Sequence, residues 1–193
     1  MAPGPSPEPA YGQADRATLL EVAAASVEHG LQTGASLSVD PQRYAPPLRE
    51  TRASFVTLRI GEALRGCTGC LEAERPLVAD VARNAHRSAF GDPRFPPLSE
   101  EELARLRFAV SVLSPLEPLP ADSRAELLAK LRPGIDGLVL REGRSGATFL
   151  PAVWESLPDP ARFLAELCRK AGLPPDHWSP RIAFERYAAL EIC

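Results

Sequence analysis

The stretch Phe55-Val56-Thr57-Leu58-Arg59-Ile60-Gly61-Glu62-Ala63-Leu64-Arg65-Gly66-Cys67-Thr68 decides how this chain folds. Phe55 to Ile60 alternates in character, the period of a strand with one buried face. Gly61-Glu62 reads as a two-residue turn, and glycine at the first position suits type II′. Ala63 to Thr68 is then the return strand. That turn pairs Leu58 with Arg65 and Val56 with Cys67. Arg65 would fall on the face of Val56, Leu58 and Ile60, where an unpaired guanidinium is costly. Two arrangements relieve this: a bulge that flips the register, or an arginine held deliberately at a cleft.

The flanking segments read as helices and further hairpins. Asp15 to His29 is expected as a helix capped by Asp15, with Leu19, Leu20, Ala23, Ala24 and Val27 on one apolar face. Glu74 to Phe90 is a second helix, buried through Leu77, Val78, Val81, Ala85 and Ala89. Ser99 with Glu102, and Ser123 with Glu126, are capping boxes for two short helices. Phe108 to Leu113 is a strand. Gly137 to Arg141 and Ala147 to Leu150 form a hairpin around Glu142–Gly146. Asp159-Pro160 opens a helix that ends before Gly172. Phe184 to Ile192 is a single last strand. Hairpins outnumber any βαβ unit, so the expected class is α+β with antiparallel pairing.

Composition narrows the function classes. The chain has 193 residues, enough for one domain with a real core, and 45% are apolar. Its net charge of −3 argues against a dedicated nucleic-acid binder. Four cysteines, unevenly spaced, do not make a secreted disulfide framework. No apolar stretch approaches a membrane span. Residues 1–12 are expected as a disordered, proline-rich lead-in without the apolar core of a signal peptide. A soluble, cytoplasmic domain over 13–193 is expected.

The candidate chemistry centres on Leu64-Arg65-Gly66-Cys67-Thr68-Gly69-Cys70. Gly66 and Gly69 frame Cys67 and leave room for a ligand to approach the backbone. On an extended strand Arg65 and Cys67 share a face, and a guanidinium beside a thiol favours the nucleophilic thiolate. The competing reading is a buried cysteine in a kinked strand, and residue chemistry alone favours it. Cys67 and Cys70 also form a C-x-x-C pair. A straight strand points them to opposite faces, and Cys168 and Cys193 supply no second ligand pair for zinc. Two independent thiols are expected, with no metal site and no cofactor.

The second candidate is Asp92-Pro93-Arg94-Phe95-Pro96-Pro97-Leu98, a loop stiffened by its prolines. Asp92 and Arg94 are fixed close together and suit an anionic ligand. They equally suit a surface ion pair over a Phe95 plugged into the core. His29, His86 and His177 lack metal-pair spacing and read as structural or solvated. Glu117 is a lone carboxylate between prolines.

Taken together these segments resemble the AMMECR-one domain family, also called AmmeMemoRadiSam system protein A. Leu64 to Gly69 resembles the family's LRGCIG hallmark, and Asp92 to Leu98 its DPRFPPL segment. Ser111-Val112-Leu113-Ser114-Pro115, Gly134-Ile135-Asp136-Gly137-Leu138, Phe149-Leu150-Pro151 and Leu167 to Leu173 follow in family order. Thr68 stands where isoleucine is usual, and Cys70 where the family usually has no cysteine. The resemblance implies two unequal lobes: a larger one on an antiparallel sheet from both chain ends, and a smaller α/β one from the middle. It implies that Arg65, Gly66, Cys67 and Gly69 line a functional site between the lobes. It also implies association with a Memo-like protein and a radical S-adenosylmethionine protein. It brings no settled reaction. Two readings stay level: a cleft enzyme or enzyme subunit using Cys67 with Arg65 as anion holder, and a non-catalytic docking module. A nucleic-acid module ranks below both, and a redox or zinc protein last.

Overall fold

A computed structural model describes residues 11–193. The lead-in expected over 1–12 lies outside the described residues except for Tyr11, which is buried, and Gly12, which caps the first helix. The elements run α1 (Gln13–Thr33), α2 (Pro46–Arg49), β1 (Ser54–Ile60), β2 (Ala63–Gly69), α3 (Leu77–Phe90), α4 (Glu100–Leu103), β3 (Leu106–Leu113), β4 (Glu117–Pro118), α5 (Arg124–Lys130), β5 (Gly137–Glu142), β6 (Ser145–Phe149), α6 (Pro160–Lys170), β7 (Ala183–Tyr187) and β8 (Ala189–Ile192). The fold is α+β with antiparallel strand pairing, as the hairpin pattern implied.

The chain divides into two unequal units. One runs to Ser114 and takes in Leu190–Cys193; the other is Pro115–Ala189. The larger unit holds the sheet β2-β1-β3-β8. Val56, Leu58, Val110 and Val112 line one face of it and pack with Leu19, Val27, Val81 and Ala85 of the two long helices. The smaller unit holds β4-β7-β5-β6. Its core joins Leu138 and Leu140 to Phe163, Leu164 and Leu167 of α6, with Trp154 stacked on Phe163 at 3.8 Å.

Local chemistry explains most boundaries, and several differ from expectation. Asp15 does not cap α1. Gly12 occupies that place, and its N–H donates to the Asp15 carboxylate at 3.0 Å, so Asp15 serves from inside the first turn. The helix stops at Gly34, which takes a left-handed φ of 75°. The second helix starts at Leu77, with Pro76 outside it as cap. The middle hairpin turns on Gly143-Arg144 alone, so its loop is shorter than expected. The last strand is two strands: β7 joins the smaller unit's sheet and β8 the larger unit's.

The opening hairpin keeps its expected turn. Gly61 has φ 60°, and Glu62 is not in the positive-φ region, which fits type II′. Ile60 faces Ala63 and Arg59 faces Leu64, but then Leu58 faces Gly66 and Thr57 faces Cys67. Arg65 is the extra residue of a bulge. Cys67 therefore pairs with Thr57, not with Val56.

Candidate functional site

Cys67 lies on β2, an edge strand of the larger sheet. The bulge at Arg65 moves it to the side of Thr57, whose neighbours Val56 and Leu58 point into the core. Cys67 thus stands on the face away from the helices. Its Sγ is 3.4 Å from the Thr57 hydroxyl oxygen, and the residue is half-buried. Gly66, one residue earlier, faces the core, where an added Cβ would come within 2.0 Å of the Ser88 carbonyl oxygen. Only glycine lets α3 approach β2 this closely. Gly69 has the matching role on the other face, under the ring of Phe55.

The proline loop closes the edge of the strand at this residue. Asp92 Oδ2 accepts the Cys67 N–H at 2.9 Å, and Arg94 Nη2 donates to the Cys67 carbonyl at 3.3 Å. Asp92 and Arg94 are paired to each other at 2.7 Å and 2.9 Å. Two side chains thus satisfy the backbone groups that an edge strand leaves open. The Arg94 hydrogen bonds, aided by the Cys67 N–H, hold the Asp92 carboxyl far below the usual carboxylate range. Asp92 is buried, whereas the Arg94 side chain is 55% exposed and lies over the Phe95 ring at 5.5 Å.

Arg65 does not serve Cys67. Its guanidinium donates to both oxygens of Glu102, at 2.6 Å and 2.9 Å, and to the Pro96 carbonyl at 3.0 Å. Glu102 in turn accepts the Ser99 N–H at 3.0 Å, as the capping pattern required. The Arg65 bonds lower the Glu102 carboxyl to about 2. The sequence conflict over Arg65 is resolved by both devices at once: a bulge, and a bidentate carboxylate partner. The guanidinium nearest the Cys67 backbone is that of Arg94.

Sequence reasoning missed two polar clusters. On α3, Asp80, Asn84 and Ser88 are buried and reach β1: Asp80 accepts the Ser54 N–H and hydroxyl, Asn84 donates to the Ser54 carbonyl, and Ser88 donates to that of Val56. In the smaller unit Glu142 accepts from Ser179 at 2.7 Å and pairs with the His177 ring. Both groups contact Glu142, so no serine–histidine relay is formed. Glu117 is exposed and ion-paired with Arg186 at 3.3 Å. Among the described residues no three His, Cys, Asp or Glu side chains gather as a metal site, and no helix is long and apolar enough to cross a membrane.

The residues that converge here come from the segments that carry the family resemblance, and the sequence matches AMMECR1 over residues 20–192. The chain belongs to the AMMECR1 family. A protein of Methanothermobacter thermautotrophicus is 38% identical over 178 residues, covering 89% of this chain and 90% of its own length. Protein MK0488 of Methanopyrus kandleri is 37% identical over 164 residues, or 83% and 78% of the two chains. The crystal structure of the uncharacterized protein PH0010 from Pyrococcus horikoshii superposes with a TM-score of 0.82. It is 36% identical and covers 90% of this chain and 88% of that one.

Proposed function

We propose that this AMMECR1 chain is an enzyme or an enzyme subunit whose ligand meets the thiol of Cys67. The supporting observation is the fixing of Cys67 at both backbone groups by Asp92 and Arg94, while its Sγ meets the Thr57 hydroxyl at 3.4 Å. A side chain held this way is pre-organised on a rigid strand, which sites for chemistry or tight binding need. Gly66 and Gly69 keep the strand thin around it. Arg65 belongs to the scaffold of this site through Glu102. Cysteine reactivity beyond simple exposure marks such a thiol. Cysteine-resolved alkylation by iodoacetamide, read by peptide mass mapping, tests it. Cys67 is expected to react about tenfold faster than the exposed Cys193, despite its lower exposure. A Cys67 rate at or below that of Cys193 makes the residue structural.

A second reading is a docking module for a Memo-like or radical S-adenosylmethionine protein, in line with the family association. The mutual saturation of Asp92 with Arg94 and of Arg65 with Glu102 favours it, because it leaves no free acid–base pair beside the thiol. Co-purification with either protein, lost on substitution of Arg94 but kept in Cys67→Ser, would select this reading over the first.

A further inference from the structure

The geometry points to an anion site on the Cys67 face of the larger sheet, formed by Arg59 and Arg107 directly opposite each other on β1 and β3. The register between these strands is unbroken: Phe55 faces Ser111, Thr57 faces Ala109 and Arg59 faces Arg107. Along β1 the side chains of Phe55, Thr57 and Arg59 therefore share one face, opposite to Val56 and Leu58 in the core. Thr57 is the residue whose hydroxyl meets the Cys67 thiol. Arg59 lies two residues further, about 7 Å along the strand, and its long side chain spans that distance.

Like charges set directly opposite on paired strands are destabilising. Both arginines are exposed. Arg59 Nη1 is bonded only to the Glu62 carbonyl, a neutral acceptor. Among the described residues neither arginine makes an ion pair with a carboxylate. The two other arginines around Cys67 are each matched with a carboxylate: Arg65 has Glu102 and Arg94 has Asp92. An uncompensated pair facing the same side as the fixed thiol suits a ligand bearing phosphate or carboxylate oxygens, which guanidinium forks bind well. The site deepens the Cys67 reading and rests on it: the ligand places its anionic group on Arg59 and Arg107 and a second part over the thiol. Arg65, expected from the sequence to hold an anion, is replaced in that task.

The test compares a charged and a neutral thiol reagent. Iodoacetate and iodoacetamide differ in one anionic carboxylate, and the ratio of their rates at Cys67 reads the local field. The double variant Arg59→Gln, Arg107→Gln is expected to lower that ratio about fivefold at low salt, the ratio cancelling any change in the thiol itself. It removes a repulsive pair and so is expected to fold at least as well, which a denaturation curve checks. Pyrophosphate is expected to slow iodoacetamide at Cys67 in the native chain and not in the double variant. An unchanged reagent ratio in the folded variant overturns the anion site while leaving the Cys67 reading standing. If Cys67 resists both reagents, the Cys67 reading falls. Calorimetry with pyrophosphate then decides the anion site: heat that vanishes in the double variant keeps it, and no heat in the native chain removes it.

Discussion

The central strand β1 and the edge strand β2 are both held by polar side chains from the segments that follow them, but by opposite chemistry. Against β1, α3 sends Asp80, Asn84 and Ser88 into the core, one helical turn apart. Asp80 Oδ2 accepts from Ser54 twice and from Asn84, and its nearest cation, Arg75, stands at 3.4 Å. Burial there raises the Asp80 pKa. Against β2, the proline loop sends Asp92 with a bonded guanidinium, and the Asp92 pKa falls. A strand inside the sheet is braced by hydrogen-bonding groups whose charge is a burden. A strand at the edge is braced by groups whose charge is used.

Gly66 lies where the two regions meet, on β2 and against the backbone of Ser88. Replacing it by alanine is expected to have the largest effect. The added Cβ meets a carbonyl oxygen at 2.0 Å, and neither strand nor helix backbone can yield cheaply. A loss of about 3 kcal/mol or more is expected from such overpacking. Denaturant unfolding measures it. A loss under about 1 kcal/mol would mean that α3 slides freely over β2, and the two braces would not be coupled through this contact.

The charge contrast itself is broken by paired amide substitutions. In Asp80→Asn the amide oxygen keeps the acceptor role of Oδ2, and the amide nitrogen takes the side facing Arg75, which holds only the 3.4 Å contact. That change is expected to cost under about 1 kcal/mol. Asp92 has no spare oxygen. Its Oδ1 accepts from the Arg94 N–H and Nε, and its Oδ2 from the Cys67 N–H and Arg94 Nη2. Either orientation of an amide in Asp92→Asn sets a donor against two donors, at about 2 kcal/mol. Equal losses in the two variants would erase the distinction between the strands.

How far these regions were legible in the sequence differs in the same way. The hairpin turn followed from Gly61, because one positive φ is all that a type II′ turn asks. The bulge did not, since alternation carries no mark of an extra residue; the misplaced Arg65 was the only local sign. The stripe Asp80, Asn84, Ser88 stands at i, i+4, i+8, but it shares its side of the helix with Leu77, Val81 and Ala85, whose apolar pattern masks it. The clamp on Cys67 joins residues 25 apart, which periodicity cannot see, so Asp92 and Arg94 read as a candidate separate from Cys67. The split of the last strand was hidden too. Phe184 to Ile192 reads as one strand, and which sheet each part joins depends on tertiary contacts. The Glu142–His177 pair spans 35 positions and had no local signal at all.

The smallest expected effect is the pH dependence, and it separates the two braces by sign. A carboxyl whose folded pKa is depressed contributes stability that is complete above its unfolded value and is lost as pH falls towards the folded one. For Glu102, brought from an ordinary 4.5 to about 2, that loss runs between those two values. It amounts to about 1 kcal/mol once solvent screening of the partly exposed pair is allowed for. Asp92 adds to the same slope. Asp80 opposes it: its raised pKa means that the folded state binds a proton more readily, so acid relieves its burial rather than costing a bond. Glu102→Gln is therefore expected to flatten the fall in stability between about pH 4.5 and 2, and Asp80→Asn to steepen it above the ordinary aspartate value of 3.8. Urea midpoints across that range measure both. Slopes that move in the same direction in the two variants would show that the core and edge carboxylates are not held by opposite chemistry.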